Sequence, residues 1–417
     1  MPEPLTTPRA GLSELVSTPE GLKDVIQQMR EGHGPIAIDA ERASGYRYSQ
    51  RAYLIQIFRR GGGLHLIDPV AANAPGIWRE MSEAFADQEW IIHASTQDLP
   101  CLREVGLAPE RLFDTELGGR IAGCERVGLG PLAESLLDIS LAKEHSAVDW
   151  SIRPLKEEWL NYAALDVDVL IDLRDKVEEL LQEQGKLEWA LQDFATIIKS
   201  PPPPPKKDLW RRTSGMHKVR DRLTLAIIRD LWAARNEFAQ EIDIAAGRVF
   251  NDDALVEVAT KRPKVINDFA YILTKRTRVT GQPIEKWFDV YRAALLTAPD
   301  DQPELRVPST GLPPVKIWST RNAPGYARVT HARAAMIELA AEHQMPTENL
   351  ISPEIVRRIA WAPPADLSTL DNQLAELGAR SWQIELVTPA LRLAMTQTEP
   401  LVVETPDAPA DGESSEE

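Results

Sequence analysis

The chain has 417 residues but only two cysteines, Cys101 and Cys124. Two thiols give no disulfide framework and no zinc cluster; they fit a reducing compartment and read as small buried hydrophobes. No apolar run approaches the ~20 residues that span a bilayer. The opening MPEPLTTPRAGLSEL has no charged-then-apolar signal pattern. The expectation is a cytoplasmic, monomeric protein with no membrane partner. An overall basic excess is missing too, since the net charge is −16. That deficit is uneven: residues 1–200 carry −13, residues 206–293 carry +6, residues 294–397 carry −2 and the last twenty carry −7. A local basic patch matters more for phosphate binding than the global charge, so the middle segment remains a candidate for it.

The length suits two or three domains, each with its own core. Pro201 to Pro205, followed by Lys206 and Lys207, cannot continue a helix and favours a stiff spacer. A softer boundary runs from Thr297 to Pro314. After Gln397 the chain is acidic, without a basic residue, and is expected to be disordered. The expected parcelling is a first module over 1–200, a linker over 201–208, a helical module over 209–297, a linker over 298–325, a second helical module over 326–397 and a tail over 398–417. In the first helical module the spacing predicts a helix over 220–240, an Asn251 N-cap and a further start near Val265. In the second it predicts helices over 332–342, 353–360 and 366–377.

What stands out within the first module is four carboxylates and a tyrosine in three contexts. In IAIDAE, an apolar run from Pro35 to Ile38 reads as a buried strand leading into Asp39 and Glu41. Strand residues two apart share a face, so these two acids emerge side by side. In IIHASTQDLPCL, the strand candidate Trp90 to Ile92 ends in His93 and a polar turn, with Asp98 where a helix begins. In YAALDVDVL, Tyr162 and Asp166 are four apart on a helix predicted over 158–174 and share one side of it. Any one context is commonplace. Three in this order offer converging hard oxygen ligands, the chemistry that holds two divalent cations for phosphodiester cleavage.

These contexts resemble the three Exo motifs of the DEDDy 3′–5′ exonucleases, and most closely the ribonuclease D family. Asp149-Trp150-Ser151, Arg153-Pro154-Leu155 and Leu54-Ile55-Gln56-Ile57 are similar to it as well, over roughly residues 12–195. Ile152 stands where many relatives carry a second basic residue. Glu237 to Pro263 resembles the HRDC domain, and the segment from Tyr326 to Leu393 looks like a diverged second copy. The resemblance implies a ribonuclease H-like α/β exonuclease domain, with a mixed central sheet flanked by helices, followed by two all-α HRDC-type domains. It also implies hydrolysis at the 3′ end with release of nucleoside 5′-monophosphates. The partners implied are RNAs with a free 3′ end, such as tRNA precursors and small structured RNAs. Asp39, Glu41 and Asp166 would hold one cation, Asp39 and Asp98 the other, with Tyr162 orienting the attacking water. The ions would be magnesium or manganese, because no Cys or His cluster offers zinc a site.

Gln56, beside the first motif, and Arg153, ahead of Tyr162, are candidate substrate contacts. His93 is another candidate, set against a structural role. So are Lys261, Arg262, Lys275 and Arg276 in the basic module, set against a merely solvated face. Trp210, Trp232, Tyr271 and Trp287 are interleaved with that module, and one or two could be exposed for base stacking. Two other functions stay open: a DNA exonuclease of the same type, and a non-catalytic RNA-binding relic.

Overall fold

The computed structural model describes residues 2–142, 148–202, 204–275, 283–307 and 311–401. The chain divides into two units, one of residues 1–119 with 126–308, the other of residues 120–125 with 309–417.

Among the described residues the first unit contains eight strands: β1 (Glu3–Leu5), β2 (Leu15–Val16), β3 (His33–Arg42), β4 (Ala52–Arg60), β5 (Gly63–Ile67), β6 (Glu89–Ile92), β7 (Arg111–Asp114) and β8 (Ile139–Leu141). Six of them form a mixed sheet in the order β2-β5-β4-β3-β6-β7, while β1 and β8 pair separately. β3, β4 and β5 are an antiparallel meander; β6 then lies parallel to β3, and β7 parallel to β6. This is the mixed sheet flanked by helices that the family resemblance implied. Ile36, Ala37 and Ile38 are buried, so the apolar run anchors β3 at the sheet's centre and delivers Asp39 and Glu41 at its end. The β3–β4 register slips between His33 and Ala37, which lets Pro35 sit in the strand without breaking the ladder. It slips again between Glu41 and Arg42, where Tyr53 is passed over.

Around the sheet run α1 (Pro19–Glu31), α2 (Pro75–Ala84), α3 (Leu99–Val105), α4 (Thr115–Ile121), α5 (Leu129–Leu137), α6 (Glu157–Asp168), α7 (Leu170–Glu183) and α8 (Leu187–Lys199). The helix expected over 158–174 is thus two helices, divided at Val169. The β-branched Val167 and Val169 weaken helix propensity there. Buried Asp168 also turns to accept the backbone N–H of Arg9 at 3.2 Å.

The same unit continues with α9 (Arg222–Glu241), α10 (Ala246–Val249), α11 (Asp252–Lys261), α12 (Ile266–Thr274) and α13 (Ile284–Leu295). They close around Leu231, Phe250, Phe269, Trp287 and Tyr291. The Asp221 and Asn251 side chains cap α9 and α11 by accepting the backbone N–H of Thr224 and of Ala254.

The second unit holds α14 (Trp318–Arg321), α15 (Ala323–Glu342), α16 (Thr347–Leu350), α17 (Pro353–Trp361), α18 (Leu370–Glu376) and α19 (Ser381–Met395). α15 begins nine residues before the expected 332, because Asn322 caps it through the Gly325 N–H and a proline follows in its first turn. Of the expected tail, residues 402–417 lie outside the described residues.

Candidate active site

Asp39 and Glu41 leave the same face of β3, and Asp166 reaches them from α6. One carboxylate oxygen from each lies within 4.8 Å of the others. Tyr162 stands one turn ahead of Asp166 on α6, whose buried side (Trp159, Ala163, Ala164, Val167) packs towards the sheet. Asp98 is the N-cap residue of α3 and is 5% exposed. Its carboxyl lies beside that of Asp39, close enough for each to shift the other's titration. The four acids and the tyrosine therefore come together from three separate elements.

Asp98 is held there by a carboxylate that sequence reading missed. Buried Asp114, at the end of β7, accepts from the Ala94 and Ser95 N–H groups and from the Ser95 hydroxyl. It also accepts from the N–H groups of Glu116 and Leu117. These bonds fix the turn leading into α3. The only signal in the sequence was an Asp at a strand end, indistinguishable from a solvated one.

The site resists carrying its own charge. Burial, and then the neighbouring carboxylates, push Glu41 well above the usual carboxylate range. Burial and Asp39 do the same to Asp166. Asp39 is raised, chiefly by burial. Asp98 is pushed up to about 8, by burial first and the charge of Asp39 second. Burial, with Asp166 and Glu41 nearby, also raises the Tyr162 phenol. Such a cluster invites cations, which would relieve repulsion that the protein leaves uncompensated. Gln56 fits the same picture. It pairs with Asp39 across the β3–β4 ladder, is fully buried, and both polar atoms of its amide lack a hydrogen-bond partner among the described residues. The all-oxygen donor set suits a hard divalent ion. One cation of the protein's own is present: Arg42 Nη2 lies 3.2 Å from Asp98 Oδ1.

The remaining candidates are dispersed. His93 bonds Thr115 Oγ1 through Nδ1 at 2.9 Å, and burial lowers its pKa, so a neutral ring braces β6 against α4. Arg153 is taken up by protein oxygens: Asp68 at 2.5 Å, Trp150 O at 2.7 Å and Tyr53 O at 2.8 Å. Its acidic partner is Asp68 rather than Glu157 or Glu158. In the helical module Lys261 pairs with Glu257 and Arg262 with Asp221, while Lys275 lies 4.0 Å from Glu257. Arg276 lies outside the described residues. Among the interleaved aromatics, Trp210 and Trp287 are core, whereas Tyr271 is 66% exposed.

The helical module also grips the segment that follows the first motif. Asp243 accepts the Ser49 N–H at 2.8 Å and the Tyr53 hydroxyl at 3.3 Å, and pairs with Arg51 at 3.3 Å. The Ala245 N–H donates to Tyr46 O, Arg248 donates to Gly45 O and stacks on the Tyr46 ring, and Tyr48 packs against the helical core.

Residues 13–182 match the family model described as 3′-5′ exonuclease, and residues 224–290 match the HRDC domain. Residues 311–395 match the model described as 3′ to 5′ exonuclease C-terminal domain. A ribonuclease D from Gluconacetobacter diazotrophicus is 28% identical over 375 residues, covering 87% of this chain and 91% of that protein. The chain belongs to the ribonuclease D family. Exonucleases of this family use divalent metals, in keeping with the acidic cluster. A solved protein from Bifidobacterium adolescentis superposes with a TM-score of 0.85 at 34% identity, over 95% of this chain and all of that one. Escherichia coli RNase D shares the fold, with a TM-score of 0.61 at 22% identity over 92% of this chain and 98% of its own. No helix among the described residues is long and apolar enough to cross a membrane.

Proposed function

We infer that the protein is a 3′–5′ exoribonuclease that hydrolyses the terminal phosphodiester of RNA and releases nucleoside 5′-monophosphates. The observation that carries this reading is the convergence of Asp39, Glu41 and Asp166 within 4.8 Å, with Asp98 against Asp39 and Tyr162 alongside. Asp39, Glu41 and Asp166 would hold one cation, and Asp39 with Asp98 would hold a second. Magnesium or manganese ions there would supply Lewis-acid charge at the scissile phosphate and a more acidic attacking water. Tyr162 would position that water through its hydroxyl. Its raised pKa keeps it a neutral phenol, which favours orientation over proton abstraction. Gln56 would contact the terminal nucleotide; its amide, without a hydrogen-bond partner among the described residues and paired with Asp39 across the ladder, supports this.

The substrates proposed are tRNA precursors and small structured RNAs, handled by a monomer. The ribonuclease D names of its relatives and the basic character of residues 206–293, net +6, support RNA as the substrate. Family matches at 13–182, 224–290 and 311–395 support the parcelling into a nuclease module and two helical modules. A cytoplasmic setting fits Cys101 and Cys124, neither of which is in a disulfide.

The test is a time course on a 5′-labelled, 3′-extended tRNA precursor, with and without magnesium or manganese, beside Asp166→Asn. A metal-dependent ladder receding from the 3′ end, absent in the variant, is the expected result. Equal degradation of a single-stranded DNA would overturn RNA as the substrate, and no shortening in any metal would overturn the nuclease reading.

A further inference from the structure

Arg42 has no part in the scheme above, yet it is the one cation ion-paired to any of the four site acids among the described residues. It directly follows Glu41. Strict strand alternation would turn it away from Asp39 and Glu41, but the β3–β4 register slips at this point and its guanidinium reaches Asp98. The pair is largely withdrawn from solvent, with side chains 25% and 8% exposed, so salt screens it little. Arg153 is a useful contrast. Its donors are spent on Asp68, Trp150 O and Tyr53 O. Arg42 has an ion pair but no aligned hydrogen bond within the described protein, so its fork of N–H donors is uncommitted. That fork matches two oxygens of a phosphate.

A guanidinium and a divalent ion both seek the Asp98 carboxylate, and they repel each other. We propose that Arg42 is a resident counter-cation of the Asp98 arm: it occupies that carboxylate in the free enzyme, weakens binding of the second divalent ion there, and yields when a substrate phosphate takes its guanidinium. The free enzyme then holds one ion firmly, at Asp39, Glu41 and Asp166, and completes its pair only with RNA in place. This role for Arg42 rests on the two-cation reading of the site.

The experiment is a manganese titration of the metal-free, full-length protein by calorimetry, with free Mn2+ followed by electron paramagnetic resonance. Wild type should bind one ion tightly and a second at least tenfold more weakly. Arg42→Gln should tighten the second ion at least tenfold and leave the first within about twofold. A dinucleotide with a non-hydrolysable phosphonate linkage should tighten the second ion in wild type and not in Arg42→Gln. Identical isotherms for the two proteins overturn the proposal while leaving the metal site intact. Absence of Mn2+ binding in both overturns the two-cation reading along with it. If Arg42→Gln does not fold, Arg42→Lys serves instead. Its compact, mobile charge should tighten the second ion by a smaller factor, and an unchanged isotherm again overturns the proposal.

Discussion

Asp98 must lose a proton before it can serve a cation, and its surroundings oppose that loss. Its value of about 8 in the folded, metal-free protein stands above the ordinary 3.8 of a free carboxyl. Between those values the folded protein holds a proton that the unfolded chain has released. Stability of the metal-free protein therefore falls as pH rises through that window. Divalent ions bind only the deprotonated form, so their stabilising effect grows in the same direction. Melting temperatures in EDTA should decline from about pH 5 to about pH 8, and the increment from added magnesium should be larger at the upper end. Asp98→Asn should flatten the EDTA profile between these limits. An undiminished slope in that variant would place the titration elsewhere.

At the scale of elements, the segment joining β3 to β4 is where the two parts of the first unit depend on each other. Asp243 collects a backbone N–H, a tyrosine hydroxyl and a guanidinium from residues 49–53. Hydrogen bonds to a charged group are worth ~1.5–3 kcal/mol each in favourable cases. With Asp243 partly solvated, Asp243→Ala should cost about 1–3 kcal/mol in a denaturant titration, and should disturb kcat on even a short oligonucleotide. A loss confined to binding of structured RNA would show that this contact does not shape the catalytic side. Period-two placement of Asp39 and Glu41, and the four-residue spacing of Tyr162 and Asp166, were readable because they depend only on local geometry. Arg42 was not readable, because its reach depends on a register slip in a strand pair. Asp114 and Asp243 were not readable either, because each acts through partners far along the chain or on another element. The break at Val169 escaped because apolar spacing continues through it on both sides.

The whole molecule carries −16, yet residues 206–293 carry +6. Much of that positive charge is already engaged, Lys261 with Glu257 and Arg262 with Asp221. Lys264, Lys275 and the Tyr271 ring are exposed, with Lys275 only 4.0 Å from Glu257. Phosphate contacts reveal themselves in salt dependence, with a slope of about −0.7 per contact on single-stranded nucleic acid. Lys264→Gln combined with Lys275→Gln should flatten the slope of log K against log salt by up to about 1.4 and weaken binding of all RNAs alike, with kcat unchanged. An unaltered slope would move the RNA track to another face.

The grip of Asp243 on Ser49 joins residues 194 positions apart. On the ribosome those partners do not appear together. At ~5–20 residues per second, the loop behind the candidate site waits about 10–40 s for the helix end that fastens it. The nuclease fold can gather its acids during that interval, but the loop next to them stays unfastened. Synthesis thus carries its own delay, and the loop beside the site is fastened only once the chain has grown past Asp243.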